Sequence, residues 1–188
     1  MLTQGSETSL EVEGQPNIVS ELDTYVENNT LMVKFKSKNI NMSYKKLIVH
    51  VSTPNIESLN LHGSGDVTAL TDLNSNQLNI SISGSGDVRL KSVTCKNMDV
   101  HVQGSGDVTV SGGTTDSITM NVNGSGDIEA YELNAKSVIA HTNGSGDIKC
   151  RALDAIDASV NGSGDIHYKG RPANTKVHTN GSGSISSN

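Results

Sequence analysis

The chain of 188 residues is long enough for one domain, and 14 Lys and Arg against 20 Asp and Glu leave a formal charge of −6, the wrong sign for a face that grips nucleic-acid phosphates. Only 34% of residues are apolar and 3% aromatic, with no Trp, which excludes a core built from large side chains. No run approaches the roughly 20 apolar residues of a membrane-spanning helix, and no basic-then-apolar leader opens the chain.

Residues 1–55 read as a β-rich cap belonging to the same domain as residues 56–188. Ser9-Leu10-Glu11-Val12-Glu13 alternates as a strand does. Asp23–Val26 and Thr30–Lys36 flank Glu27-Asn28-Asn29, the pattern of a hairpin. Leu47-Ile48-Val49-His50-Val51 is a further strand, ending near Pro54. No helix is expected here. An uncovered end of a repeat array would expose a sheet edge, so this segment is expected to cover one.

Residues 56–188 are organised by a repeat. Gly63-Ser64-Gly65-Asp66 recurs as Gly84-Ser85-Gly86-Asp87, Gly104-Ser105-Gly106-Asp107, Gly124-Ser125-Gly126-Asp127, Gly144-Ser145-Gly146-Asp147 and Gly162-Ser163-Gly164-Asp165, and then as Gly181-Ser182-Gly183-Ser184 without the Asp. The steps are 21, 20, 20, 20, 18 and 19 residues. A β-branched residue follows every motif: Val67, Val88, Val108, Ile128, Ile148, Ile166 and Ile185. Two before each first Gly stand Leu61, Ile82, Val102, Val122, Thr142, Val160 and Thr179, and two before those Leu59, Ile80, Val100, Met120, Ala140, Ala158 and Val177, with polar residues between. This is period-two alternation in residues that favour strands. Each repeat reads as strand, Gly-Ser-Gly corner, strand, then a variable loop such as 91–97 or 112–117.

Two topologies fit. Asn-Gly at 123, 143, 161 and 180 is a hairpin signal, which would give an antiparallel meander. Alternatively each repeat is one coil of a parallel β-solenoid. A hairpin does not require every copy to match every other, whereas stacked coils place equivalent residues about 4.8 Å apart and favour ladders of like residues. The repeat therefore favours an all-β, parallel β-solenoid of about seven coils, right-handed by the general rule for parallel crossovers.

Six aspartates stacked at that spacing repel by about 0.9 kcal/mol per neighbouring pair at water's dielectric. Backbone N–H groups at each corner are the expected compensation. Calcium between carboxylates is the sharper alternative, but known glycine- and aspartate-rich calcium coils repeat every nine residues, so no metal is expected. The corner glycines are expected to need positive φ. Six identical serines cannot each own a catalytic base, so hydroxyl ladders are expected rather than nucleophiles. Asn123, Asn143, Asn161 and Asn180 suit an amide ladder. His101, His141 and His178 fall on alternate coils, too far apart to share a metal. Cys95, in a loop, and Cys150, on the inward phase, are read as free thiols. No cofactor is implied.

The iterated Gly-Ser-Gly-Asp followed by Val or Ile resembles the bacterial head GIN domain family, described as putative auto-transporter adhesins. The lead-in resembles it as well, in Leu10-Glu11-Val12-Glu13-Gly14, Asn28-Asn29-Thr30-Leu31 and Pro54. The opening strand that members carry before such a Leu2-Thr3-Gln4-Gly5 stretch is missing, as in a chain trimmed of its leader, and the regular repeats run longer than in a minimal member. The resemblance implies a β-helix-like, non-catalytic, exported protein of the periplasm, outer membrane or surface of a Gram-negative bacterium. Any membrane anchoring would come through an N-terminal signal or lipid outside this sequence. Its expected role is to present flat faces to a protein or glycan. A structural envelope spacer is the alternative, and an enzyme acting on polysaccharide a more distant one, since no acid/base pair breaks the repeat. The last coil lacks the Asp and has no successor, so a weak two-fold dimer through that coil is expected.

Overall fold

Alternation sets the architecture: one side chain points into a narrow interior and the next points out. The computed structural model describes residues 1–37 and 46–188. Its elements are β1 (Leu2–Gln4), β2 (Ser9–Gly14), α1 (Pro16–Val19), β3 (Leu22–Glu27), β4 (Thr30–Phe35) and β5 (Leu47–Thr53). The repeats contribute β6 (Ser58–Gly63), β7 (Val67–Ala69), β8 (Leu73–Asn74), β9 (Gln77–Gly84), β10 (Val88–Leu90), β11 (Val93–Gly104) and β12 (Val108–Val110). They continue with β13 (Gly113–Gly124), β14 (Ile128–Gly144), β15 (Ile148–Gly162), β16 (Ile166–Lys169), β17 (Asn174–Gly181) and β18 (Ile185–Ser187).

Every pairing among β6 to β18 is parallel. The chain is therefore a β-solenoid, and the antiparallel meander is excluded. Val67, Val88, Val108, Ile128, Ile148, Ile166 and Ile185 form one continuous column. Its members from Val88 to Ile166 are at most 1% exposed, while Val67 and Ile185 at the ends are only partly buried. Each fully buried Val or Ile contributes about 1.5–3 kcal/mol, and only a coil with a neighbour on both sides obtains all of it.

Seven corners bound about six stacked coils rather than about seven, because the first corner follows the first strand of the repeat and the last is followed only by β18. A second correction concerns the segments expected to be loops. Residues 93–97 and 113–117 are strand, paired in register from Val93↔Gly113 to Asn97↔Ser117. Cys95 accordingly lies in β11 and is buried. Two consecutive exposed residues, Lys96 and Asn97, break the in-out phase, and this hides the coil's further side from a period-two reading. The 18-residue step is absorbed on that same side, where the β14–β15 register shifts between Ala130 and Ser137.

At the N-terminal end β1 runs parallel to both β5 and β7, and β2 closes antiparallel on β5. The expected hairpin is present as β3 and β4, turned through Asn28 and Asn29 at φ 47 and 62, the left-handed pair that a tight hairpin needs. The four-residue α1 was not expected. Pro16 opens it, where a missing N–H costs nothing, and Ile18 buries to 1% exposure; so short a helix leaves no periodicity to read.

Candidate functional site

The recurring chemistry of this chain lies at its corners and on its outer columns. At each of the first six corners the first glycine's carbonyl receives two amides from the following coil: Gly84 O accepts from Ser105 N at 2.9 Å and Gly106 N at 3.2 Å. The two glycines of a motif are required for different reasons. Gly104 sits at φ +126, a region that L-residues avoid. Gly106 has no positive φ, contrary to the expectation; a Cβ there would stand 2.1 Å from Gly86 O, so coil-to-coil approach excludes it.

The aspartates link coils rather than their own corners. The Asp87 amide donates to Asp66 Oδ1 at 3.0 Å, Asp107 to Asp87 at 2.9 Å, and Asp127, Asp147 and Asp165 each to the carboxylate before at 2.8 Å. The bond is answered from the other direction: Val88 N donates to Asp107 O at 2.8 Å and Val108 N to Asp127 O at 2.9 Å. Like charges are thus held in a column because each carboxylate completes the amide of the next. At the seventh corner Ser184 donates both its amide, at 2.7 Å, and its hydroxyl, at 2.8 Å, to Asp165 Oδ1. These bonds hold the Asp165 carboxyl below the usual carboxylate range. A depressed carboxyl stabilises the fold above its unfolded pKa of about 3.9 and loses that contribution as pH falls through the lower folded value. Hydrogen exchange at the Ser184 amide should therefore speed up in strong acid, and Asp165→Asn should flatten that dependence.

Asn143 Nδ2 donates to Asn123 Oδ1 at 3.1 Å, and Asn161 and Asn180 each extend the amide ladder at 3.3 Å. The motif serines form an exposed stripe at the corners, and the hydroxyls of Ser105 and Ser125 bond to no described residue. In register, His101, His141 and His178 alternate with Ser81, Asn121 and Ser159, and His141 Nδ1 meets Ser159 Oγ at 2.9 Å. Among the described residues, no group of three or more His, Cys, Asp or Glu is placed to hold a metal ion.

Inside, Thr142 is 1% exposed, and its hydroxyl is satisfied by donating to Gly146 O at 2.7 Å. Cys95 and Cys150 are both free and buried. Burial pushes the Cys150 thiol up to about 12 and raises that of Cys95, so neither forms thiolate readily. Alkylation at pH near 8, read by mass spectrometry, should leave both unmodified in the native chain and label both in urea.

On the outer faces, opposite charges meet across neighbouring coils: Asp116–Lys136 at 2.7 Å, Glu129–Lys149 at 3.0 Å and Asp72–Lys91 at 3.3 Å. Each pair is exposed and contributes at most about 1 kcal/mol; their effect is to pattern the surface. The repeat contains the signal that would have found two of them, since 136 − 116 and 149 − 129 both equal one 20-residue step. A furrow of about 150 Å³ between Asp107, Asp127, Asp147, Glu129 and Lys149 opens directly to solvent, smaller than the roughly 300 Å³ at which small-molecule sites begin.

Known proteins share this geometry. The family described as "Putative auto-transporter adhesin, head GIN domain" matches residues 1–172. The solved structure of a putative adhesin from Bacteroides fragilis NCTC 9343 is 34% identical, with a TM-score of 0.96 over 100% of this chain and 86% of that one. A putative lipid binding protein from Parabacteroides distasonis ATCC 8503 is 28% identical, with a TM-score of 0.75 over 100% of this chain and 87% of that one. A putative adhesin from the same Parabacteroides strain, 22% identical with a TM-score of 0.78 over 100% and 87%, shares the fold. No curated protein matches the chain.

Proposed function

The chain belongs to the head GIN domain family of putative auto-transporter adhesins, and from that premise we propose that it is a non-catalytic, exported binding module that offers its flat outer faces to a protein or glycan at the envelope of a Gram-negative cell. The observation that carries this reading is the outer surface itself. Charged pairs one coil apart, such as Asp116–Lys136 and Glu129–Lys149, and the exposed motif serines all lie on the outside of the stacked coils. Recognition by such a surface is spread over several coils and needs no deep pocket, in keeping with the small, open furrow at Asp127. With aromatics at 3% of the chain, there are few rings for sugar stacking, and a protein ligand fits the surface better than a glycan.

The purified domain, immobilised and exposed to a glycan array and to a panel of purified envelope and matrix proteins, should capture a ligand. Lys136→Glu with Lys149→Glu should weaken capture by about tenfold or more while leaving the melting temperature near that of the parent. Capture indifferent to every face variant, or no capture at all, would sink the reading. Release of reducing ends from an offered polysaccharide would overturn its non-catalytic part.

A further inference from the structure

Charge is unevenly spread around each coil. The strands that lead into the corners stack as one sheet, and four outward columns, starting at Gln77, Asn79, Ser81 and Ser83 of β9, run in register to β15. Four columns on five strands make 20 residues, none of them buried; eight are Asn or Gln and six are Ser or Thr. None is Lys, Arg or Glu. Asp99 and Asp157 carry the only fixed charges, and His101, His141, Ile139 and Ala155 complete the set. The strands on either side add one more charge: β6 brings Ser58, Asn60 and His62, and β17 brings Lys176, 4.0 Å from Asp157. Charge gathers at the borders instead, at Lys96, Asp116, Lys136 and Asp154 before the sheet and at the corner aspartates after it.

From this face we infer that the chain binds a neutral polysaccharide, laid across the amide and hydroxyl columns. The inference rests on the binding reading above and names the ligand of one face: the charged faces favour a protein, and this one does not. Its chemistry selects by elimination. A charged ligand would lose water here and find almost no opposite charge, which is costly. An apolar ligand would leave the amides and hydroxyls unpaired. Sugar hydroxyls both donate and accept, and so do Asn, Gln, Ser and Thr side chains.

The face is also set in place beforehand. Ser117 Oγ donates to Asn97 Oδ1 at 3.0 Å, Gln77 Nε2 to Asn79 Oδ1 at 3.3 Å, and Asn143 and Asn161 extend the ladder from Asn123. Side chains already held lose less freedom on binding. Each ladder amide spends one N–H on its neighbour and keeps the other for a ligand, in a row spaced at about 4.8 Å. The columns hold no Phe, Tyr or Trp, so affinity comes from hydrogen bonds repeated along the polymer and not from ring stacking.

Calorimetric titration of the full chain with dextran, a galactomannan and a xyloglucan, and with alginate as a carboxylated counterpart, tests this. At least one neutral polymer should bind and alginate should not. The affinity should change less than about twofold between ionic strengths of about 0.01 M and 1 M, since no ion pair is made. Gln103→Lys and Gln103→Glu should each weaken binding by about tenfold or more, because either sign of charge is left unpaired under the ligand. Thr94→Lys, an outward change on another side of the same coil, should leave it at the parent level. Both positions are exposed, so circular dichroism and melting should match the parent. If no neutral polymer bound while a protein was still captured through the charged pairs, this inference would fall and the binding reading would stand. A gain from one sign of charge at Gln103 would mean a charged ligand and overturn it. So would equal losses from Thr94→Lys and Gln103→Lys, which would place binding elsewhere.

Discussion

Gly106→Ala should destabilise the chain by about 2 kcal/mol or more, and Gly106→Val by more still, whereas Gly65→Ala should stay within about 0.5 kcal/mol of the parent. The two glycines occupy the same place in the motif, and neither has a positive φ. They differ only in what lies beneath. A Cβ on Gly106 would sit 2.1 Å from Gly86 O and 3.0 Å from Ile82 Cγ2, while Gly65, in the first coil, has nothing within 4 Å. The obstructing atom is backbone and cannot rotate aside, so the coils must part and their ladder bonds stretch. Ser105→Ala, at an exposed hydroxyl in the same corner, should cost about 1 kcal/mol or less. Urea melts of the four variants would check this order. Equal losses at Gly65 and Gly106 would show that the motif needs glycine for its local backbone and not for stacking.

The second large effect is expected at the carboxylate column. Asp127→Ala should destabilise by about 1–3 kcal/mol, since it strips the Asp147 amide of its acceptor. Asp127→Asn keeps an oxygen in place and removes one charge from a column spaced at about 4.8 Å, so it should be near neutral and slightly stabilising at low salt. Thermal melts at two salt concentrations separate these outcomes. If Asn were as damaging as Ala, the negative charge itself would be the required feature.

Much of this architecture is legible in the repeat. The columns beginning at Leu59, Leu61 and Val67 follow from residue identity at fixed offsets, and stacking of like residues is what makes the offsets visible. Three things were not legible. The side of each coil around Val93 and Thr115 was obscured because Lys96 and Asn97 interrupt the alternation. The donor to each aspartate was misassigned because one motif read alone cannot reveal a bond that crosses to the next coil. The reason for Gly106 was missed likewise: a clash with a residue 20 positions earlier has no local signature. At the surface, single charges look unremarkable until the repeat length is applied to them, and then Glu129 and Lys149 become a pair.

The crossing bonds carry an evolutionary consequence. Each coil gives its neighbour the same things: a carbonyl at the first glycine, a carboxylate oxygen for the next amide and a buried Val or Ile, with the asparagine ladder added from Asn123 onward. A unit of about 20 residues duplicated or lost between Gly84 and Asp165 would meet the same corner partners above and below. The reach of the protein is therefore a quantity that recombination can adjust in increments of about 4.8 Å, leaving both ends and every remaining face as they were.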